Sequence, residues 1–117
     1  MKCIILLWQM IWKHTIYALV DSSDGNIFYI GRTESVFSRF AAHLSSSHKR
    51  KTLTQKVIHR LKKNVHYKVI ARIESDCFYT ARIVENYWIE YYAERFLTTN
   101  YISKKHYEEV KKELKFK

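Results

Sequence analysis

The chain of 117 residues can bury one hydrophobic core but not two, since a second would need roughly another hundred residues. With 47% hydrophobic and 15% aromatic residues it is no disordered tail, and its two cysteines, Cys3 and Cys77, lack the spacing of a disulfide scaffold or zinc finger and fit a reducing cytoplasm. Against 11 Asp and Glu stand 21 Lys and Arg, a formal net charge of +10 that attracts polyanions, nucleic acid foremost, although ribosomal and membrane-surface proteins can be equally basic.

Met1 to Trp12 is apolar (CIILLWQMIW) but well short of the ~20 residues of a membrane span, and it has no small-residue cleavage site. Residues 1–13 therefore read as an N-terminal extension, either an extra strand or a docked segment, with Met10 an alternative start and no membrane partner. Residues 14–20 and 26–31 are β-branched and aromatic runs around Asp21-Ser22-Ser23-Asp24-Gly25, the chemistry of a hairpin turn. A five-residue loop sets Val20 opposite Asn26 and Tyr17 opposite Tyr29 on one face.

Thr33 can cap a helix reaching Leu44, whose stripe of Val36, Phe37, Phe40 and Leu44 points into the core. A serine loop follows, then an amphipathic helix over Lys51–Lys63 on Leu53, Val57, Ile58 and Leu61. His66 to Ile73 alternates as a third strand, and Cys77 to Thr98 forms a long aromatic helix. Ser103 to Phe116 reads as a charged helix within a tail over 102–117. The order predicts an α+β domain over 14–101, a small three-stranded antiparallel sheet flanked by helices.

Three sets of residues carry candidate chemistry. On a helix turning about 100° per residue, Ala81, Trp88, Ile89, Tyr92 and Phe96 surround Glu85, so its carboxylate needs a cation, hydrogen bonds or a proton. A metal meets that need, and so does an ion pair with Arg39, Arg72 or Arg82, while a face that is only partly covered would remove it. Arg39 and His43, at i and i+4, reach one place, where a guanidinium can fork onto phosphate oxygens and an imidazole can move a proton. Tyr17 and Tyr29 complete the set or are ordinary strand residues. Lys49, Arg50, Lys51, Lys56, Arg60, Lys62 and Lys63 crowd one loop and helix, either a surface that tracks a nucleic-acid backbone or a solvated face.

Thr15-Ile16-Tyr17, a turn, Phe28-Tyr29-Ile30-Gly31, Arg39, His43, Glu85 and Asn100, in that order and at those spacings, resemble the GIY-YIG nucleases over about residues 14–101. Thr15 departs from the glycine usual in the first motif. The resemblance implies a metal-dependent DNA endonuclease acting on duplex or branched DNA, as a monomer or a transient dimer, in a bacterial or host-cell interior. It also implies roles: Tyr17 in deprotonating the attacking water, Tyr29 hydrogen-bonding beside it, Gly31 permitting close approach of backbone and ligand, Arg39 stabilising the phosphate. His43 relays a proton or contacts phosphate, Glu85 is the single protein ligand of one Mg2+ or Mn2+, and Asn100 buttresses the site. His48 ranks low as a second active-site histidine.

Arg39 and Arg32 are the cations expected to stabilise a Tyr17 phenolate, with Arg32 also counted among the DNA contacts. No second reading domain is evident, so low sequence specificity or selectivity for DNA shape is expected. A lone small domain hints at a phage or mobile element, and the alternative function is an inactive nucleic-acid-binding module of the same fold.

Overall fold

The computed structural model describes residues 13–74, 77–100 and 104–113; the apolar run 1–12 and the outer parts of the expected tail lie outside the described residues. A β-branched and aromatic stretch makes the central strand β1 (Lys13–Asp21), which pairs antiparallel with β2 (Ile27–Thr33) on one side and β3 (Val65–Glu74) on the other. Helix α1 is Val36–Ser46, α2 Leu53–Leu61, α3 Phe78–Ala93 and α4 Lys104–Glu113. The α+β class and the three-stranded antiparallel sheet are as the sequence predicts.

Because β1 is central, its side chains are buried on both faces, from His14 to Leu19. Tyr17 and Leu19 face one core with Phe28, Val57, Ile58 and Val65, under α1 and α2. Ile16 and Ala18 face the other with Ile27 and Ile30, and α3 closes it with Val84, Trp88, Ile89 and Tyr92.

The hairpin register corrects the expectation. Val20 pairs with Ile27, Leu19 with Tyr29 and Tyr17 with Gly31, so β2 carries a bulge at Phe28. The extra residue lets Phe28 and Tyr29 turn toward the same core. Tyr17 and Tyr29 thus share a face as diagonal neighbours, with ring centroids 6.2 Å apart, rather than as a direct pair.

Helix boundaries shift where local caps decide them. Ser35, not Thr33, is the N-cap of α1; the Thr33 hydroxyl braces the preceding turn by accepting from the Ser35 N–H at 3.1 Å. Only part of the α1 stripe is covered: Val36 and Phe40 pack on the core, whereas Phe37 is 75% exposed. Thr52 and Gln55 form a capping box that starts α2. The long aromatic helix stops at Ala93 rather than Thr98, because the following residues run along the open edge of β2, where Thr99 N–H donates to Phe28 O at 2.6 Å. Among the described residues no helix is long and apolar enough to cross a membrane.

Candidate active site

Tyr17 enters the site from the middle of β1, and its ring lies across Gly31 on β2. A Cβ at Gly31 would stand 2.5 Å from both Cζ and the hydroxyl oxygen of Tyr17. The close approach expected there between backbone and ligand is therefore an approach between backbone and Tyr17. Held in this way, the Tyr17 hydroxyl meets His43 Nε2 at 2.7 Å, and His43 also stands edge-on to Tyr29, with centroids 5.2 Å apart.

Burial pushes the Tyr17 phenol up, the neighbouring Tyr29 adds to this, and Arg39 opposes it. Tyr29 is also raised, chiefly by burial and again against the pull of Arg39. His43 is lowered to about 4 by burial and then by the charge of Arg39. At neutral pH the pair consists of a protonated phenol and a neutral imidazole, and in the tautomer with its proton on Nδ1 the imidazole accepts from Tyr17 at Nε2. Contact with the two phenols raises Arg39, which stays a cation. Burial opposes the Tyr17 phenolate that the sequence leads one to expect, Arg39 favours it, and His43 is a hydrogen-bonding partner for the phenol.

Glu85 lies on a partly covered face and pairs with an arginine other than those the sequence suggested. It sits at the margin of the α3 packing face, with its side chain 21% exposed, and its Oε1 accepts from Arg32 Nε at 3.4 Å. The partner is thus neither Arg39, Arg72 nor Arg82. The carboxylate is close enough to disfavour ionisation of both phenols, so it belongs to the same site. Arg32 does not supply the positive field expected of it at Tyr17. It pairs across β1 with Ile16, on the α3 face, where Nη1 lies 3.1 Å from His14 Nδ1 and Cζ 4.6 Å from the centre of the Phe78 ring.

Asn100 reaches the site indirectly. Its Oδ1 accepts from Ile30 N–H and its Nδ2 donates to Ile30 O, both at 2.8 Å, so one carboxamide replaces a missing neighbour strand between Tyr29 and Gly31. Thr99 serves only the Phe28 carbonyl, to which its N–H and its hydroxyl both donate. Thr99 had no periodic or motif signal in the sequence.

Above the phenols is an open cleft in two lobes that meet at Arg39 and Ala42. One, about 510 Å³, lies over Tyr29 and His43 and reaches Thr52, Thr54 and Gln55; the other, about 500 Å³, reaches Arg32, Thr33 and Ser38. Lys49, Arg50 and Lys51 are exposed on the connection between two lining segments, Ser45–Ser46 and Thr52–Gln55. Lys56 is half-buried on α2. Arg60 lines a separate hollow with Asp21 and Asp24, away from the phenols. His48 bonds back to Ser45 O at 2.8 Å and is outside the cleft lining.

Among the described residues no three His, Cys, Asp or Glu side chains converge, so an ion at Glu85 would take its other ligands from water and substrate. Mg2+ binds in that way, with oxygen donors and several retained waters, and a partly exposed carboxylate whose partner Arg32 lines the smaller lobe fits it.

A neutral imidazole hydrogen-bonded to a phenol, next to a cation and a carboxylate, is an arrangement able to support acid-base chemistry on an anion. The family model for the GIY-YIG catalytic domain matches residues 13–101, and the chain belongs to that family of nucleases. No curated protein and no solved structure gave a match.

Proposed function

We propose that the chain is a metal-dependent endonuclease that hydrolyses DNA phosphodiester bonds. The 2.7 Å link between the Tyr17 hydroxyl and His43 Nε2, facing Arg39, carries this reading. In the proposed reaction a water gives its proton to the Tyr17 oxygen as Tyr17 passes its own to His43, and the resulting hydroxide attacks phosphorus. Arg39 holds a non-bridging phosphate oxygen, and its charge is worth most where negative charge grows in the pentacovalent state. That same phosphate offsets the Arg39 charge, one of the two causes that hold His43 low, so substrate binding makes the base stronger.

Glu85 is the ligand for one Mg2+ or Mn2+, which when bound supplies neutralising charge at the phosphate and the leaving oxygen. Departure of the 3′ oxygen leaves a 5′-phosphate and a 3′-hydroxyl. Tyr29 fixes the second wall of the pocket, and Asn100 holds the strand that carries it. Lys49, Arg50 and Lys51 attract the flanking backbone without reading its sequence, so unrelated duplexes should be cut at similar rates.

Incubation with supercoiled plasmid, in Mg2+ or in chelator, tests the reading. Nicking should require metal, vanish in Glu85→Ala and fall by about 10²–10³ in Arg39→Ala, the usual cost of one electrostatic contact to a developing oxyanion. Nicking that persists unchanged in Glu85→Ala belongs to a contaminant and removes the reading.

A further inference from the structure

The larger lobe of the cleft lies between the last turn of α1 and the first turn of α2. Its volume of about 510 Å³ is that of a small-ligand site. Arg39 stands where the two lobes meet, and the side chains further in, Ser45, Ser46, Thr54 and Gln55, are uncharged.

Hydrogen bonds already made there decide what the lobe can take. Ser45 gives its hydroxyl proton to Ala42 O at 3.2 Å and Ser46 to His43 O at 3.4 Å. Thr99 gives its proton to Phe28 O, so in the 2.7 Å contact between Thr99 and Thr54 it is Thr54 that donates. Ser45, Ser46 and Thr54 are left with lone pairs to offer, whereas Thr52, which also lines the lobe, accepts from Gln55 N–H at 3.1 Å and keeps its hydroxyl proton to give. Gln55 is the opposite case: its Oε1 accepts from the N–H groups of Lys51 at 2.8 Å and Thr52 at 3.2 Å, which fixes the amide and leaves Nε2 as a donor.

A phosphate only accepts hydrogen bonds, so it could use Gln55 Nε2 and the Thr52 hydroxyl but not the lone pairs of Ser45, Ser46 and Thr54, and its cation, Arg39, is at the entrance. A nucleobase edge carries a donor beside an acceptor, and its flat face can rest on the Tyr29 ring that lines the same lobe. Within a duplex that edge is paired and the face stacked, so only a base released from the helix can enter.

We propose that this lobe is a subsite for one unpaired nucleobase of the strand being cut, next to the phosphodiester held by Arg39. The proposal rests on the nuclease reading above, and it makes the protein select DNA by local loss of pairing.

Labelled duplexes that are fully paired, or carry one unpaired nucleotide at successive positions, or carry an abasic residue in the same positions, test it. Binding is read by fluorescence anisotropy in chelator, and cleavage separately in Mg2+. At one offset the unpaired base should bind about tenfold tighter than its abasic counterpart, a modest value for one stacked and hydrogen-bonded base. Gln55→Glu removes the donor but preserves the capping box, since a carboxylate accepts the same backbone N–H bonds, and it should bring that ratio close to unity. His59→Glu, exposed on α2 and outside the lobe lining, adds the same charge and should keep the ratio.

Equal affinity of wild-type protein for base and abasic bulges at every position overturns the proposal. So does a ratio that survives in Gln55→Glu with an unchanged melting temperature. A base-dependent ratio without cleavage of any duplex would support the subsite while removing the nuclease reading.

Discussion

A histidine in water titrates near pH 6.5, whereas burial and the Arg39 charge bring His43 to about 4. In the free enzyme it is therefore neutral, and able to accept from Tyr17, down to about pH 4. The pH profile of kcat/KM, which reports the free enzyme, should show no acid limb at 6.5 from this residue and should bend near 4. An acid limb at 6.5 that disappears in His43→Gln would contradict this. The same depression has a consequence for stability: between pH 6.5 and about 4 the unfolded chain binds a proton at His43 that the folded chain refuses. Stability should then decline as pH falls through that window, and melting temperatures of His43→Gln should decline less. Gly31 offers a steric test at the same scale. In Gly31→Ala the new methyl meets Tyr17 at 2.5 Å, so the ring must leave His43; activity should fall by orders of magnitude, while overpacking costs about 1–3 kcal/mol, measured by denaturant unfolding. Much of this chemistry was legible in sequence, because Arg39 and His43 at i and i+4 must share a helix face. The Arg32–Glu85 pair was not, since it joins residues 53 apart and no local period links them.

The site depends on the unpaired edge of β2, which the segment after α3 closes. Asn100 gives the Ile30 peptide both a donor and an acceptor, so Asn100→Ala strands a part-buried N–H and C=O at a cost of about 1–3 kcal/mol. Asn100→Asp keeps the acceptor and loses the donor, and it should fall between wild type and alanine in chemical denaturation. Because Ile30 stands between Tyr29 and Gly31, both variants should lower kcat more than they raise KM. Equal kcat in all three proteins would show that the brace serves stability alone. The turn residues foretold this hairpin, but its register depended on something they do not encode. The bulge at Phe28 is stabilised by Thr99, whose N–H and hydroxyl both reach the Phe28 carbonyl from 71 residues away. A two-strand count had no means of including that third segment. The same segment ends α3 early, its backbone taken up by β2 where periodicity alone would continue the helix.

Charge acts over the whole molecule, and the excess of ten positive charges was the plainest signal in the composition. What composition left open was where those charges act. Arg60 lines the same hollow as Asp21 and Asp24 at the hairpin, whereas Lys49, Arg50 and Lys51 are exposed on the chain between two cleft-lining segments. A cation near a carboxylate has part of its field cancelled, while three exposed cations at a cleft rim add theirs along one path for a phosphate backbone. Each phosphate contact that releases counterions contributes about 0.9 to the slope of log K against log salt. Lys49→Gln, Arg50→Asn and Lys51→Gln together should therefore flatten that slope by about 2–3 and weaken binding to unrelated duplexes equally. Asparagine is chosen at Arg50 because its φ of 49° is in the left-handed region, which asparagine tolerates. Arg60→Gln alone should leave the slope nearly unchanged. Cleavage at saturating DNA should persist in the triple variant, because in the proposed function these cations gather substrate and do not touch the phosphorus under attack. A triple variant with an unaltered slope would move the DNA path to another face of the domain.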